Sequence, residues 1–185
     1  MVTKAIFLDR DGVINHLVER VNGKHTAPWN LDEFRFIDGI QEACKLFREN
    51  GYKLLVVTNQ PDVENGRGPL TYDDLDTMHL MIKKWLRIEN IYYSEDRGSD
   101  TYKPNNGMIE TLCKENKVDR SSTYIVGDSW KDIVAGHKSK LTTIFLGKDY
   151  TSYTSPEKYS NIEPDYVVGN LLQAACLIVE LEKYD

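Results

Sequence analysis

Four short stretches of the chain gather residue types suited to work on a phosphate ester: Asp9-Arg10-Asp11-Gly12, Thr58-Asn59-Gln60, Lys103-Pro104, and Gly127-Asp128-Ser129-Trp130-Lys131-Asp132. Carboxylates set close together repel one another, and a hard divalent cation such as Mg²⁺, which prefers oxygen ligands, gives the cheapest relief. A carboxylate can also attack phosphorus, forming an aspartyl-phosphate that splits hydrolysis into two easier steps. Asp11, two residues after Asp9, reaches the same side of an extended backbone, where it can protonate a leaving oxygen and then activate water. Thr58 and Asn59 can hydrogen-bond phosphoryl oxygens, and Lys103 can neutralise the charge spread over them. Gln60 and Arg67 are further candidate substrate contacts. Gly12 lets the chain turn away sharply from the nucleophile.

Each stretch also has a plainer reading. Asp9 to Gly12 suits a solvated turn, Thr58 a strand-end cap, Lys103 an exposed lysine, Asp128 a helix N-cap and Asp132 a surface carboxylate. Their placement decides between the two readings. Lys4-Ala5-Ile6-Phe7-Leu8 reads as a buried strand and ends at Asp9. Tyr52 to Thr58 reads as a second strand, Ile91 to Tyr93 as a weaker one, and Ser122 to Val126, Thr142 to Leu146 and Tyr166 to Val168 as three more. Helical spacing joins Ile40, Ala43, Cys44 and Phe47, and again Leu75, Met78, His79, Ile82, Trp85 and Leu86, the latter started by Thr71 with Asp74 three residues on. Met108 to Asn116, Trp130 to His137 and Leu171 to Lys183 complete the helices. Alternating strands and helices imply an α/β fold: a Rossmann-like parallel sheet with helices on both faces, in one domain spanning 1–185. In such sheets ligands bind outside the carboxyl ends of the strands, where three of the stretches fall, with Lys103-Pro104 in a loop that can reach the same rim.

Composition narrows the class. The 185 residues, 41% hydrophobic and 28% charged, suit one globular domain. Lys+Arg 23 against Asp+Glu 29 gives a net charge of −6, and without a basic run nucleic acid is not an expected partner. Cys44, Cys113 and Cys176 are far apart with no C-x-x-C, which argues against a disulfide framework or cysteine zinc site and fits a reducing cytoplasm. The N-terminus has no signal-peptide pattern, and the apolar stretch Leu171 to Leu181 is about half a membrane span, so export and membrane insertion are not expected. The sequence does not set an oligomeric state.

With these residues in place, FLDRDGVIN (7–15), VVTNQ (56–60), YKPNNGMI (102–109) and VGDSWKDIVAG (126–136) resemble, in order and spacing, the four motifs of the haloacid dehalogenase superfamily of phosphohydrolases. More narrowly they resemble the capless branch of D-glycero-D-manno-heptose 1,7-bisphosphate phosphatases and histidinol phosphatases, supported by LDEFRFIDGI (31–40) and Asn65-Gly66-Arg67-Gly68. The resemblance implies a HAD-like domain without a separate cap, with Asp9 the nucleophile and Asp11 the general acid/base. Mg²⁺ would be held by the Asp9 and Asp128 carboxylates and the Asp11 main-chain carbonyl. Thr58, Asn59 and Lys103 would bind the phosphoryl group, and Asp132 would support from behind.

The chain departs from the heptose branch in the loop from Tyr92 to Tyr102. That branch usually carries a Cys/His zinc site there and an Arg before the Lys; this loop has neither Cys nor His, and Tyr102 stands at the Arg position. Structural zinc is therefore not expected, and Arg97 is a candidate replacement. Arg10, Arg67 and Lys131 are candidates for substrate selection. His79 reads as a core histidine, the three cysteines as buried small hydrophobes and Trp130 as packing. The resulting expectation is a Mg²⁺-dependent phosphomonoesterase acting on a small phosphorylated metabolite, a sugar phosphate such as D-glycero-D-manno-heptose 1,7-bisphosphate. Its pocket would be shaped by the loops 15–36 and 61–70. The alternative in the same class is a histidinol-phosphate phosphatase; alternatives in other classes are a phospho-receiver and a catalytically silent binding domain.

Overall fold

The computed structural model describes residues 3–63 and 66–183. Strand β1 (Ala5–Leu8) is buried along its whole length. Its side chains alternate: Ile6 and Leu8 enter one core, Ala5 and Phe7 the other. A strand covered on both faces needs apolar residues at every position, which explains the unbroken AIFL run. β4 (Lys53–Asn59), β5 (Asn90–Ser94), β6 (Tyr124–Gly127), β7 (Thr142–Leu146) and β8 (Tyr166–Val168) complete a six-stranded sheet in the order β5-β4-β1-β6-β7-β8, parallel at every pairing.

Helices α1 (Ile40–Glu49), α2 (Tyr72–Leu86) and α5 (Leu171–Leu181) bury their apolar stripes in the core that holds Ile6 and Leu8. α3 (Gly107–Asn116) packs on the opposite face around Phe7 and Val57, and α4 (Trp130–Lys138) joins it there through Ala135. The element boundaries follow the sequence reading within a few residues, and Thr71 caps α2 by accepting from the Asp74 N–H. One expectation fails: Cys176 is exposed, whereas Cys44 and Cys113 are buried. α5 turns Leu171, Ala174, Ala175 and Ile178 inward, and Cys176 lies off that stripe.

The strand order reverses around β1. The chain leaves β1 for α1 on one face and leaves β6 for α4 on the other, so their carboxyl ends open a crevice, the usual place for a ligand in such sheets. The segment 15–36, read from sequence as a loop, contains a small antiparallel hairpin of β2 (Val18–Glu19) and β3 (His25–Thr26).

Candidate active site

The crevice forms a cleft of about 350 Å³ lined by Asp9, Asp11, Thr58, Asn59, Lys103, Asp128 and Asp132 from the sheet side. At its centre Lys103, 2% exposed, is held at three points: 2.8 Å from Asp9 Oδ1, 2.6 Å from Asp132 Oδ1 and 2.7 Å from the Val57 carbonyl. Burial alone would lower its pKa, but the charges of Asp132 and Asp9 outweigh burial and raise it, keeping the ammonium charged. Asp132 is 1% exposed and also closes the capping box of α4, where its Oδ2 accepts from the Ser129 N–H. One side chain thus anchors both the helix start and the lysine.

The carboxylates are under strain of charge. Asp9 is raised to about 6, first by burial and then by Asp132, while Lys103 opposes the shift. Asp128 is raised to about 8 by burial, then by Asp9 and Asp132. One oxygen from each of Asp9, Asp128 and Asp132 falls within 4.8 Å of the others. Lys103 is shared between Asp9 and Asp132, and Asp132 also accepts the Ser129 N–H, so three carboxylates face one lysine and the edge formed by Asp9 and Asp128 is left with excess negative charge. Hard oxygen donors in excess negative charge fit Mg²⁺. Two glycines make this approach possible. A Cβ on Gly12, at φ +88, would sit 1.9 Å from Asp128 Oδ2, and one on Gly127 would sit 2.2 Å from the Asp132 Cβ.

Several predicted contacts take different parts. Asn59 lines the cleft, but its amide is committed to Lys103: Nδ2 donates to the Lys103 carbonyl and Oδ1 accepts the Lys103 N–H, each at 2.9 Å. It fixes the backbone that carries the lysine. Gln60 is fully buried, donates to Asp11 and Thr58 and accepts from Arg10, so it supports the site from beneath. Arg10, expected at the substrate, is 0% exposed and turned into the protein, where its guanidinium pairs with Asp11. Arg67 is exposed and does not line the cleft; Asn65 beside it lies outside the described residues. Trp130 packs against Tyr159, with ring centroids 5.5 Å apart. Thr58 is fully buried and reaches the cleft floor.

The outer wall is built from loops and the first turn of α4. Leu17, His25, Thr26 and Ala27 from the hairpin, Pro61 and Asp62, and Arg97, Tyr102 and Lys131 complete the lining. Arg97 and Lys131 flank Tyr102, with Arg97 donating to its hydroxyl at 3.3 Å and both cations 5.9 Å from its ring centre. Burial and then the Arg97 charge lower the pKa of Lys131. The hairpin residues went unnoticed in the sequence, although Asn22-Gly23, whose glycine has φ +74, is a strong hairpin signal.

Residues 2–146 match the family described as haloacid dehalogenase-like hydrolase. The chain is 32% identical to a D-glycero-alpha-D-manno-heptose-1,7-bisphosphate 7-phosphatase of Campylobacter jejuni, over 79% of this chain and 83% of that one. It is 30% identical to a D-glycero-beta-D-manno-heptose-1,7-bisphosphate 7-phosphatase of Pasteurella multocida, over 97% and 98%. Among solved structures it is similar to the D,D-heptose 1,7-bisphosphate phosphatase of B. bronchiseptica complexed with magnesium and phosphate, at 21% identity and a TM-score of 0.79, covering 97% and 99% of the two chains.

Proposed function

The chain belongs to the haloacid dehalogenase-like hydrolases, and on that premise we propose that it is a cytoplasmic, Mg²⁺-dependent phosphomonoesterase of a sugar bisphosphate of the D-glycero-D-manno-heptose 1,7-bisphosphate kind. The observation that carries this reading is the cluster at the sheet crevice: Lys103 bound to both Asp9 and Asp132, with Asp128 beside them. Membership in a hydrolase family leaves the phospho-receiver reading without support.

Asp9 attacks phosphorus, and the ester P–O bond breaks as an Asp9–phosphate bond forms. Asp11 gives a proton to the departing sugar oxygen and later takes one from the water that releases phosphate. Thr58 and Lys103 hold the phosphoryl oxygens while charge spreads over them. Asp132 keeps Lys103 in place, and Asn59 keeps its backbone in place. Mg²⁺, held by the Asp9 and Asp128 carboxylates and the Asp11 carbonyl, would supply positive charge that lets an anionic nucleophile approach an anionic ester.

Arg97 and Lys131 favour a bisphosphate over histidinol phosphate, since two cations at the mouth attract a second phosphate and repel a protonated amine. The test is phosphate release from a panel holding both anomers of the heptose bisphosphate, other sugar phosphates and histidinol phosphate, with Mg²⁺ or EDTA. Mg²⁺-dependent turnover favouring a heptose bisphosphate is expected. Absence of Mg²⁺-dependent turnover across the panel, or full activity after Asp9→Asn, would overturn the reading.

A further inference from the structure

The bulkiest fully buried side chain in the described structure is a cation, Arg10. A buried guanidinium persists only where its donors are satisfied, and each nitrogen of this one has a partner. Its Nε lies 3.1 and 3.2 Å from the two oxygens of Asp11, and Nη2 lies 2.9 Å from Asp11 Oδ1. Nη2 also donates to Gln60 Oε1 at 2.8 Å, and Nη1, turned away from Asp11, faces Nε2 of His79 on α2 at 3.4 Å. We propose that Arg10, Gln60 and His79 are positioning residues that fix the carboxylate of Asp11, with His79 holding the far side of the guanidinium. This rests on the reading of Asp11 as the acid that protonates the leaving oxygen.

The network is oriented at every joint. Gln60 Nε2 donates to Asp11 Oδ2 at 2.7 Å and to Thr58 Oγ1 at 2.9 Å, while its oxygen faces Arg10; reversing the amide would set an NH₂ group against the guanidinium. Asn15 adds a donor to Asp11 Oδ1 at 2.9 Å. Only a neutral imidazole can accept from Arg10. Burial first, and then the Arg10 charge, push His79 down to about 3, which keeps that acceptor available through the neutral range. Asp11 is thereby held by two side chains from its own loop, one from the end of β4 and, through Arg10, one from α2. Such over-determination suits a group whose proton must be delivered to one point.

The sugar ester and p-nitrophenyl phosphate separate this role from a structural one. A sugar alkoxide needs a proton to leave, whereas p-nitrophenolate does not, and kcat/KM reports the step in which the leaving group departs. His79→Phe, which keeps a ring but loses the acceptor, should lower kcat/KM on the heptose bisphosphate about tenfold and on the aryl ester less than about twofold. His79→Gln, which restores an acceptor, should return the sugar value to within about twofold of native. Arg10→Lys should not be rescued in this way, because an ammonium lacks the fork. Equal losses on both esters, or no loss on either, would overturn the proposal; should His79→Phe fail to fold, His79→Leu serves the same comparison. Asp11→Asn separates the two levels. If it too spares neither ester or both, the reading of Asp11 fails and takes the proposal with it; if it separates the esters while the His79 variant does not, only the positioning role falls.

Discussion

The two walls of the cleft are built by opposite means. The inner wall hangs on strand ends: Asp9 follows β1, Thr58 and Asn59 close β4, and Asp128 and Asp132 straddle the β6–α4 turn, with Asp9, Asn59 and Asp132 tied to buried Lys103. The outer wall has little regular structure. Its hairpin has strands of two residues each, held by side chains: Arg20 pairs with Glu33 at 2.6 Å and lies 3.5 Å above the ring of Trp29, whose Nε1 donates at 2.8 Å to Asp62 of the cleft lining. On the proposed function, the groups that meet phosphorus lie close to the sheet, and those that meet the rest of the substrate lie on loops apart from Lys131 of α4.

The contrast can be broken at several levels. The largest effect is expected from Asp9→Asn, which should lower kcat by about 10⁴-fold or more on every ester, including those the outer wall does not recognise. Asp132→Asn leaves Lys103 with one fewer charged partner and should lower kcat about 10²-fold on all esters alike, checked by steady-state kinetics on a good and a poor substrate. Arg20→Ala, in contrast, should raise KM for the bisphosphate about tenfold with kcat within about twofold, and leave p-nitrophenyl phosphate hydrolysis near native. If Arg20→Ala lowers kcat on both substrates as strongly as Asp132→Asn, the division between the walls is wrong.

The mildest test is pH. Asp9 at about 6 and Asp128 at about 8 stand above the ordinary carboxylate value of 3.8, so the folded chain keeps protons that the unfolded chain has released. Stability without metal should therefore fall as pH rises from about 4 to about 8. Saturating Mg²⁺, which binds the ionised pair, should flatten or reverse that slope in thermal melts; a metal-free slope of the opposite sign would contradict the charge strain assigned to this rim.

The same contrast explains what the sequence disclosed. Much of the inner wall is written in contiguous stretches because a strand end delivers its next two or three residues to one place, so Asp9, Asp11, Thr58 and Asp128 could be read before the fold was known, while Lys103, nine residues beyond β5, and Asp132, inside α4, were read from their motifs. What could not be read were directions. Arg10 lies between two lining residues yet points inward, and Gln60 and Asn59 spend their amides on neighbours 49 and 44 positions away. No local pattern encodes such partners. His79 was legible as a histidine on an apolar stripe, but not as the neighbour of a residue 69 positions earlier. The hairpin left the weakest trace, because two-residue strands carry no period, and Asn22-Gly23 alone marked its turn.

An ammonium has three hydrogens, and on Lys103 each has an owner: Asp9, Asp132 and the Val57 carbonyl. In the proposed reaction, a phosphoryl oxygen reaching this lysine therefore exchanges with an acceptor already present. Departing phosphate hands the hydrogen back. Such an exchange leaves the number of hydrogen bonds on this lysine unchanged, so its ammonium is never left without an acceptor in the dry floor of the cleft.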